Sequence, residues 1–215
     1  GVGKTTIARA IAQDMGWNVI ELNASDARNA ASIRKAATKG ATHRSLFFSP
    51  EENDKKTLIL IDEVDHLTGG LRSVSESRIN DAIKVNLDNS DNVQLKGDTG
   101  GKAELLKLLA ETKQPVILAC NEVMGLWGKS SNWRSTRERF QRLLVTINFE
   151  RASKEALRNI ARRVLKAESM DYDSDAIEAI VSNNPGDLRA LVRDLQVICS
   201  ADINSIDKET VLEYV

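Results

Sequence analysis

Two textures of apolar and polar positions divide the chain. Up to about residue 150, short apolar runs alternate with amphipathic stretches; from Ser153 onward the spacing is helical throughout. Thr5–Met15 carries a helical pattern closed by Gly16. Asn18–Leu22 (NVIEL) reads as a short strand. The Asn-Ala-Ser-Asp turn after it offers Ser25 or Asp26 as cap for a helix over roughly 26–38. Thr57–Asp62 (TLILID) is apolar on both faces, the pattern of a buried parallel strand. Pro115–Cys120 (PVILAC) reads as a second buried strand and Leu144–Phe149 (LVTINF) as a third, with a helix over Lys102–Thr112. Residues 66–101 are polar and rich in Asn, Asp, Ser and Gly, as in an insertion between core elements. Helices are expected at 153–168, 173–182, 186–200 and 207–215, broken at Asn183-Asn184-Pro185-Gly186. Strands alternating with helices, then helices alone, predict an α/β parallel sheet over 1–150 and a small all-helical domain over 151–215.

Composition narrows the function classes. A net charge of −1 confines any nucleic-acid surface to a local patch. Two cysteines far apart in apolar surroundings, Cys120 and Cys199, read as buried thiols of a reducing compartment. No apolar run approaches membrane-spanning length.

The chemistry-bearing residues cluster at strand ends. Gly1-Val2-Gly3-Lys4-Thr5-Thr6 matches the second half of the phosphate-binding loop G-x-x-x-x-G-K-[ST]. Such a loop supplies backbone N–H groups at a helix start, an ammonium for the outer phosphates and a hydroxyl for magnesium. The strand TLILID then ends in Asp62-Glu63-Val64-Asp65. Asp62 is placed to hold magnesium directly or through water, and Glu63 to orient and deprotonate an attacking water. Asn121, at the tip of PVILACNE, is a candidate for hydrogen bonding to a γ-phosphate or that water; as an isolated residue an asparagine there is more often a turn residue. Arg189 lies one turn into a helix of the second domain, where it could reach a nucleotide or simply be solvated.

In this order the four features resemble the AAA+ ATPases: phosphate loop, D-E-x-D, an asparagine sensor and an arginine sensor in a helical lid. ELNASDAR, DEVD, ILACNE and NPGDLRALVRDLQ are similar to the clamp loader replication factor C, and Asp98–Gly101 and Arg139–Phe149 to its large subunit. The resemblance implies ATP and Mg2+ as ligands, with Gly1, Val2, Gly3, Lys4, Thr5, Thr6 and Arg189 on ATP. Thr5 and Asp62 would serve the metal, and Asp62, Glu63 and Asn121 catalysis. It further implies replication factor C small subunits, a sliding clamp of the PCNA type and primer–template DNA as partners, with no membrane. Location would be cytoplasmic for an archaeal source and nuclear for a eukaryotic one. Where small subunits carry Ser-Arg-Cys this chain has Arg142-Leu143-Leu144, so it is expected to receive an arginine finger and not to donate one. The insertion 66–99 departs from the family and has balanced charges.

The family pattern also places the strand that feeds the phosphate loop before Gly1, centrally in the sheet. The expectation is therefore a gap beside the strands ending at Asp62 and Asn121, and weak ATP binding by these 215 residues alone. A collar domain is expected beyond the lid.

Three surfaces are candidates for partners. Arg28, Ser32, Lys35 and Lys39 share one face of the 26–39 helix, as a DNA phosphate track or as a solvated basic face. Lys129, Arg134, Arg137, Arg139 and Arg142, interleaved with Trp127 and Trp133, form a second basic stretch. Leu46, Phe47 and Phe48, stopping at a polar loop, are candidates for docking on the clamp or for core packing. Two other readings compete with clamp loading: a different AAA+ DNA-processing motor such as a helicase, and a nucleotide-binding docking subunit with little turnover.

Overall fold

The computed structural model describes residues 2–25, 29–42, 56–67, 69–88, 95, 99–128, 131–201 and 205–215. The chain divides into two compact units, Thr5–Thr146 and Ile147–Val215 with Gly1–Lys4.

The first unit is built around a three-stranded parallel sheet in the order β1-β2-β3, with β1 at Asn18–Asn23, β2 at Thr57–Asp62 and β3 at Val116–Leu118. Registers such as Asn23↔Asp62 and Ile61↔Leu118 bring all three carboxyl ends to one edge. Strand β2 is apolar on both faces because both faces are covered. Leu58 and Leu60 pack with Ala8 and Ala12 of α1 (Lys4–Asp14). Ile59 and Ile61 pack with Ile33 of α2 (Ala30–Thr42) and with Leu105 and Leu108 of a helix further along, labelled α4 below. All four strand residues are fully buried, each stabilising the unit by roughly 1.5–3 kcal/mol. At the strand's start the Gln114 side chain accepts from Thr57 N at 2.8 Å, standing in for a ladder partner.

Several expectations are corrected. Strands β2 and β3 pair directly, and among the described residues β1 and β3 are the sheet edges, with no strand beside β3. As an edge, β3 is half-buried and only three residues long. LVTINF forms no strand. Its Val145 and Ile147 are 91% and 76% exposed, and only Leu144 packs partly against the core. Alternation alone does not make a strand; a ladder partner is needed, and among the described residues none pairs with this segment. Helix α2 starts at Ala30, capped by Asn29, whose Oδ1 accepts from Ser32 N and Oγ. Ser25 instead donates to Asn23 Oδ1.

The polar segment 66–99 contains a helix, α3 (Glu76–Asp88), that escaped the sequence reading. Its Ile79 and Ala82 join Ala30, Ala31 and Leu95 in a small apolar cluster on α2. Gly100 (φ +70) admits this packing, since a Cβ there would meet Val74 Cγ2 at 2.6 Å. Arg34 of α2 ties the layers together. It donates to Glu104 of α4 (Gly101–Glu111) at 2.6 and 2.9 Å, and to Glu76 of α3, which also accepts from Lys107.

The first unit is completed by α5 (Val123–Trp127) and α6 (Trp133–Gln141), also absent from the sequence reading. The second unit holds α7 (Lys154–Ala167), α8 (Ser174–Asn183), α9 (Leu188–Cys199) and α10 (Lys208–Tyr214). Their N-caps are Ser153, Asp173, Asp187 and Asp207, each side chain accepting from a backbone N–H in the first turn. Leu157, Ile177, Ile180, Leu191, Leu195 and Val211 form its core. The unit is not purely helical: β4 (Asp171–Tyr172) and β5 (Ser205–Ile206) pair in parallel. Segments of two residues carry no periodicity to read. The two cysteines are half-buried, and burial pushes the Cys199 thiol up. No described helix is long and apolar enough to cross a membrane.

Hydrogen bonds from Arg34 and then Lys107 hold the Glu76 carboxyl down at about 2. A carboxyl depressed in the folded state adds stability above its unfolded value, and that stability disappears as pH falls toward the folded value. Glu76→Gln should therefore flatten the loss of stability between about pH 4.5 and about pH 2. The gain will be modest, because the side chain is largely exposed. Urea midpoints at pH 6 and pH 3 for both proteins check this, and equal acid sensitivity would contradict it.

Candidate functional site at the carboxyl edge of the sheet

Ligands of open parallel sheets sit at the carboxyl ends of the strands, and the predicted residues of the first unit gather there. Helix α1 begins at Lys4, immediately after Gly3, whose φ of +86 is accessible to glycine and strained for other residues. Thr5, in its first turn, donates Oγ1 to Asp62 Oδ2 at 2.6 Å across 57 residues of sequence. A hydroxyl that gives its proton to a carboxylate turns its lone pairs outward, the orientation a cation requires. The other Asp62 oxygen accepts from Glu63 N at 2.9 Å. The half-buried Asp62 is thus fixed at both oxygens.

Glu63 follows in a left-handed conformation, φ 54 and ψ 38, which costs a non-glycine residue about 1–2 kcal/mol. The surrounding bonds enforce it. Val64 N donates to Ala119 O at 3.0 Å, and Val64–His66 closes a 3-10 turn with His66 N on Glu63 O.

That turn is joined to the tip of β3. Ala119 N donates to Ile61 O at 2.9 Å. Beyond it, Asn121 N and Glu122 N donate to Asp65 Oδ1 and Oδ2, both at 3.3 Å. Asn121 is exposed at this tip. Gly125 of α5 lies against the same turn: a Cβ there would stand 2.6 Å from Asp65 O and 2.8 Å from Asp65 Cβ. From the other side Lys102 of α4, 2% exposed, donates Nζ to Gly125 O at 3.3 Å.

Within the first unit the structure therefore brings together Thr5, Asp62, Glu63 and the Asn121 tip; Val2, Gly3 and Lys4 precede Thr5 along the chain and Thr6 follows it in α1. Arg189 is exposed in the first turn of α9, its backbone N–H held by Asp187 at 2.9 Å. The α9 start is shaped by Asn184, which donates to Ile180 O and to Asp194, and by Gly186, whose absent Cβ makes room for Arg151. Gly1, Arg28, Leu46, Phe47, Phe48 and the side chain of Lys39 lie outside the described residues. Lys35 is half-buried on α2. In the second basic stretch Arg137 stacks over Trp127 at 5.1 Å and Arg134 over Trp133 at 5.5 Å. Arg137 also donates to Gln141 at 3.1 Å.

Sequence reasoning gave no role to Asp65, Gly125 or Lys102. A signal existed for Gly125, since a glycine inside a short helix marks a close backbone approach. None existed for Lys102, because a single lysine on an amphipathic helix reads as solvated.

No cluster of three or more His, Cys, Asp or Glu suited to a metal exists among the described residues. One hydroxyl and one carboxylate are what a magnesium ion needs when phosphates and water complete its shell, so Thr5 and Asp62 fit that ion.

The family described as "ATPase family associated with various cellular activities (AAA)" matches residues 1–144. A replication factor C large subunit of Halobacterium salinarum is 34% identical over 203 residues, covering 94% of this chain and 35% of the relative. One from Methanococcus maripaludis is 33% identical over 200 residues, covering 93% and 33%. The chain thus spans about a third of the length of these relatives, which it resembles along nearly its whole extent. Among solved structures, the Thermotoga maritima RuvB Holliday junction branch migration motor superposes with a TM-score of 0.62 at 17% identity, covering all of this chain and 57% of its own. Domain III of the Thermotoga maritima replication initiation protein DnaA gives 0.59 at 15%, covering all of this chain and 79% of its own. At these identities the superpositions establish the fold.

Gly125→Ala should destabilise the first unit by about 1–3 kcal/mol, because backbone blocks the added Cβ. Thermal unfolding reads the loss, and an unchanged midpoint would contradict the close approach. The chain belongs to the AAA family of ATPases.

Proposed function

We propose that this chain forms the ATPase and lid portion of a replication factor C large subunit. In this reading the full-length protein binds ATP and, with small subunits, opens a ring-shaped sliding clamp and sets it on primer–template DNA. The observation that carries the hydrolytic part is the 2.6 Å hydrogen bond from Thr5 to Asp62, with Glu63 as the next residue. The likeness to replication factor C large subunits of two archaea supports the clamp-loading part.

Each residue then has a chemical task. Backbone N–H groups around Gly3 and the Lys4 ammonium receive the phosphates at the start of α1, where the helix dipole favours negative charge. Thr5 and Asp62 hold magnesium, which when bound neutralises charge on the outer phosphates. Glu63 accepts a proton from the attacking water, its backbone fixed by Asp62 and by the 3-10 turn. Asn121 orients that water or a γ-phosphate oxygen, and Arg189 responds to the γ-phosphate from the helical unit. Arg28, Lys35 and Lys39 meet DNA phosphates without reading sequence, and Leu46, Phe47 and Phe48 meet the clamp.

Glu63→Gln in the full-length protein, assembled with its small subunits, tests the reading. The glutamine keeps the shape and removes the base, so ATP turnover should fall about 100-fold or more while nucleotide binding persists. Loaded clamps should stall on DNA. Turnover at the unsubstituted rate would contradict the hydrolytic assignment. An active complex that binds no ring clamp would contradict the clamp-loading assignment and favour another DNA-processing AAA machine.

A further inference from the structure

Asp65 is a carboxylate without a task in the hydrolytic scheme, yet its two oxygens join the 3-10 turn to the N–H groups of Asn121 and Glu122. Resting on the hydrolytic reading above, we propose that Asp65 is a positioning residue, holding the Asn121 tip in register with the Glu63 turn.

The geometry gives three reasons. The regular ladder between β2 and β3 ends with Ala119 N on Ile61 O, so Asn121 and Glu122 lie past it. An aspartate is the short side chain with two acceptor oxygens, and here each oxygen takes one of two successive N–H groups, at 3.3 Å. The approach of Gly125 to the Asp65 backbone, with Lys102 holding Gly125 O, braces the carboxylate from behind. Residues 62–66, the 121–122 tip and α5 are thereby joined by hydrogen bonds and close packing.

Solvent exposure separates positioning from stability. Asn121 and Glu122 are exposed, so N–H groups released from Asp65 can turn to water and little folding free energy is lost. What disappears is the fixed orientation of the tip, and small misplacements of a group that orients a nucleophile are costly in rate.

The test uses full-length protein assembled with its partner subunits and compares Asp65→Asn, Asn121→Ala and the double variant. Steady-state ATP turnover is measured alongside nucleotide affinity and thermal midpoint. Asparagine preserves the shape and removes one acceptor. Asp65→Asn should lower kcat about tenfold with KM within about twofold. In the Asn121→Ala background the same substitution should lower kcat by less than about twofold, because the group it positions is gone. An equal loss in both backgrounds, or an unchanged kcat, would overturn the proposal. A fall in kcat matched by a large rise in KM or a lowered midpoint would assign Asp65 to stability alone and overturn it as well. Separately, a Glu63→Gln control that retains full turnover would show the parent hydrolytic reading to be wrong, and the proposal would fall with it.

Discussion

Strand β2 is the constraint on which the first unit depends. Leu58, Ile59, Leu60 and Ile61 are fully buried, alternately against α1 and against α2 and α4. A one-residue slip of this strand would exchange those two sets of partners and move Asp62 off the Thr5 hydroxyl. Hydrophobic packing, which is non-directional, thereby acquires a directional consequence. It fixes where the first polar side chain after the apolar run must stand.

From that point the polar chemistry is built by succession along the chain. Asp62 bonds forward to Glu63 N and across to Thr5; Val64 N and the Asp65 carboxylate bond across to the end of β3. The left-handed Glu63 is the residue at which the chain leaves the strand and enters the turn. Its conformational cost, about 1–2 kcal/mol, is small beside the burial of the four preceding side chains. A strained residue beside a carboxylate and a hydroxyl fits a site whose function outweighs local stability.

Legibility in the sequence followed how many constraints each segment carried. TLILID was readable because apolar residues on both faces leave only a buried strand, and GVGKTT because glycine, lysine and threonine in that order have few structural reasons to recur. LVTINF was misread. Its alternation satisfies the strand pattern, but pattern does not supply a ladder partner, and Val145 and Ile147 stand exposed. Helix α3 hid in a polar segment because its buried residues Ile79 and Ala82, with Ile83 beside them, stand among polar and charged neighbours. The cap of α2 moved from Ser25 or Asp26 to Asn29, since Asn23 captures Ser25 first. The site was legible where a residue's chemistry is its own. It was opaque at Asp65, Gly125 and Lys102, whose meaning comes from neighbours brought by tertiary packing.

The central claim is that Thr5 and Asp62 act as one magnesium–nucleotide seat. A double-mutant cycle with Thr5→Val and Asp62→Asn, read as the magnesium dependence of nucleotide affinity in the full-length protein, tests it most directly. Strong non-additivity is expected: each single change weakens magnesium-dependent binding, and the second adds little, with an interaction of about 1 kcal/mol or more. Losses that add within about 0.5 kcal/mol would show that the two residues act separately and would contradict the claim.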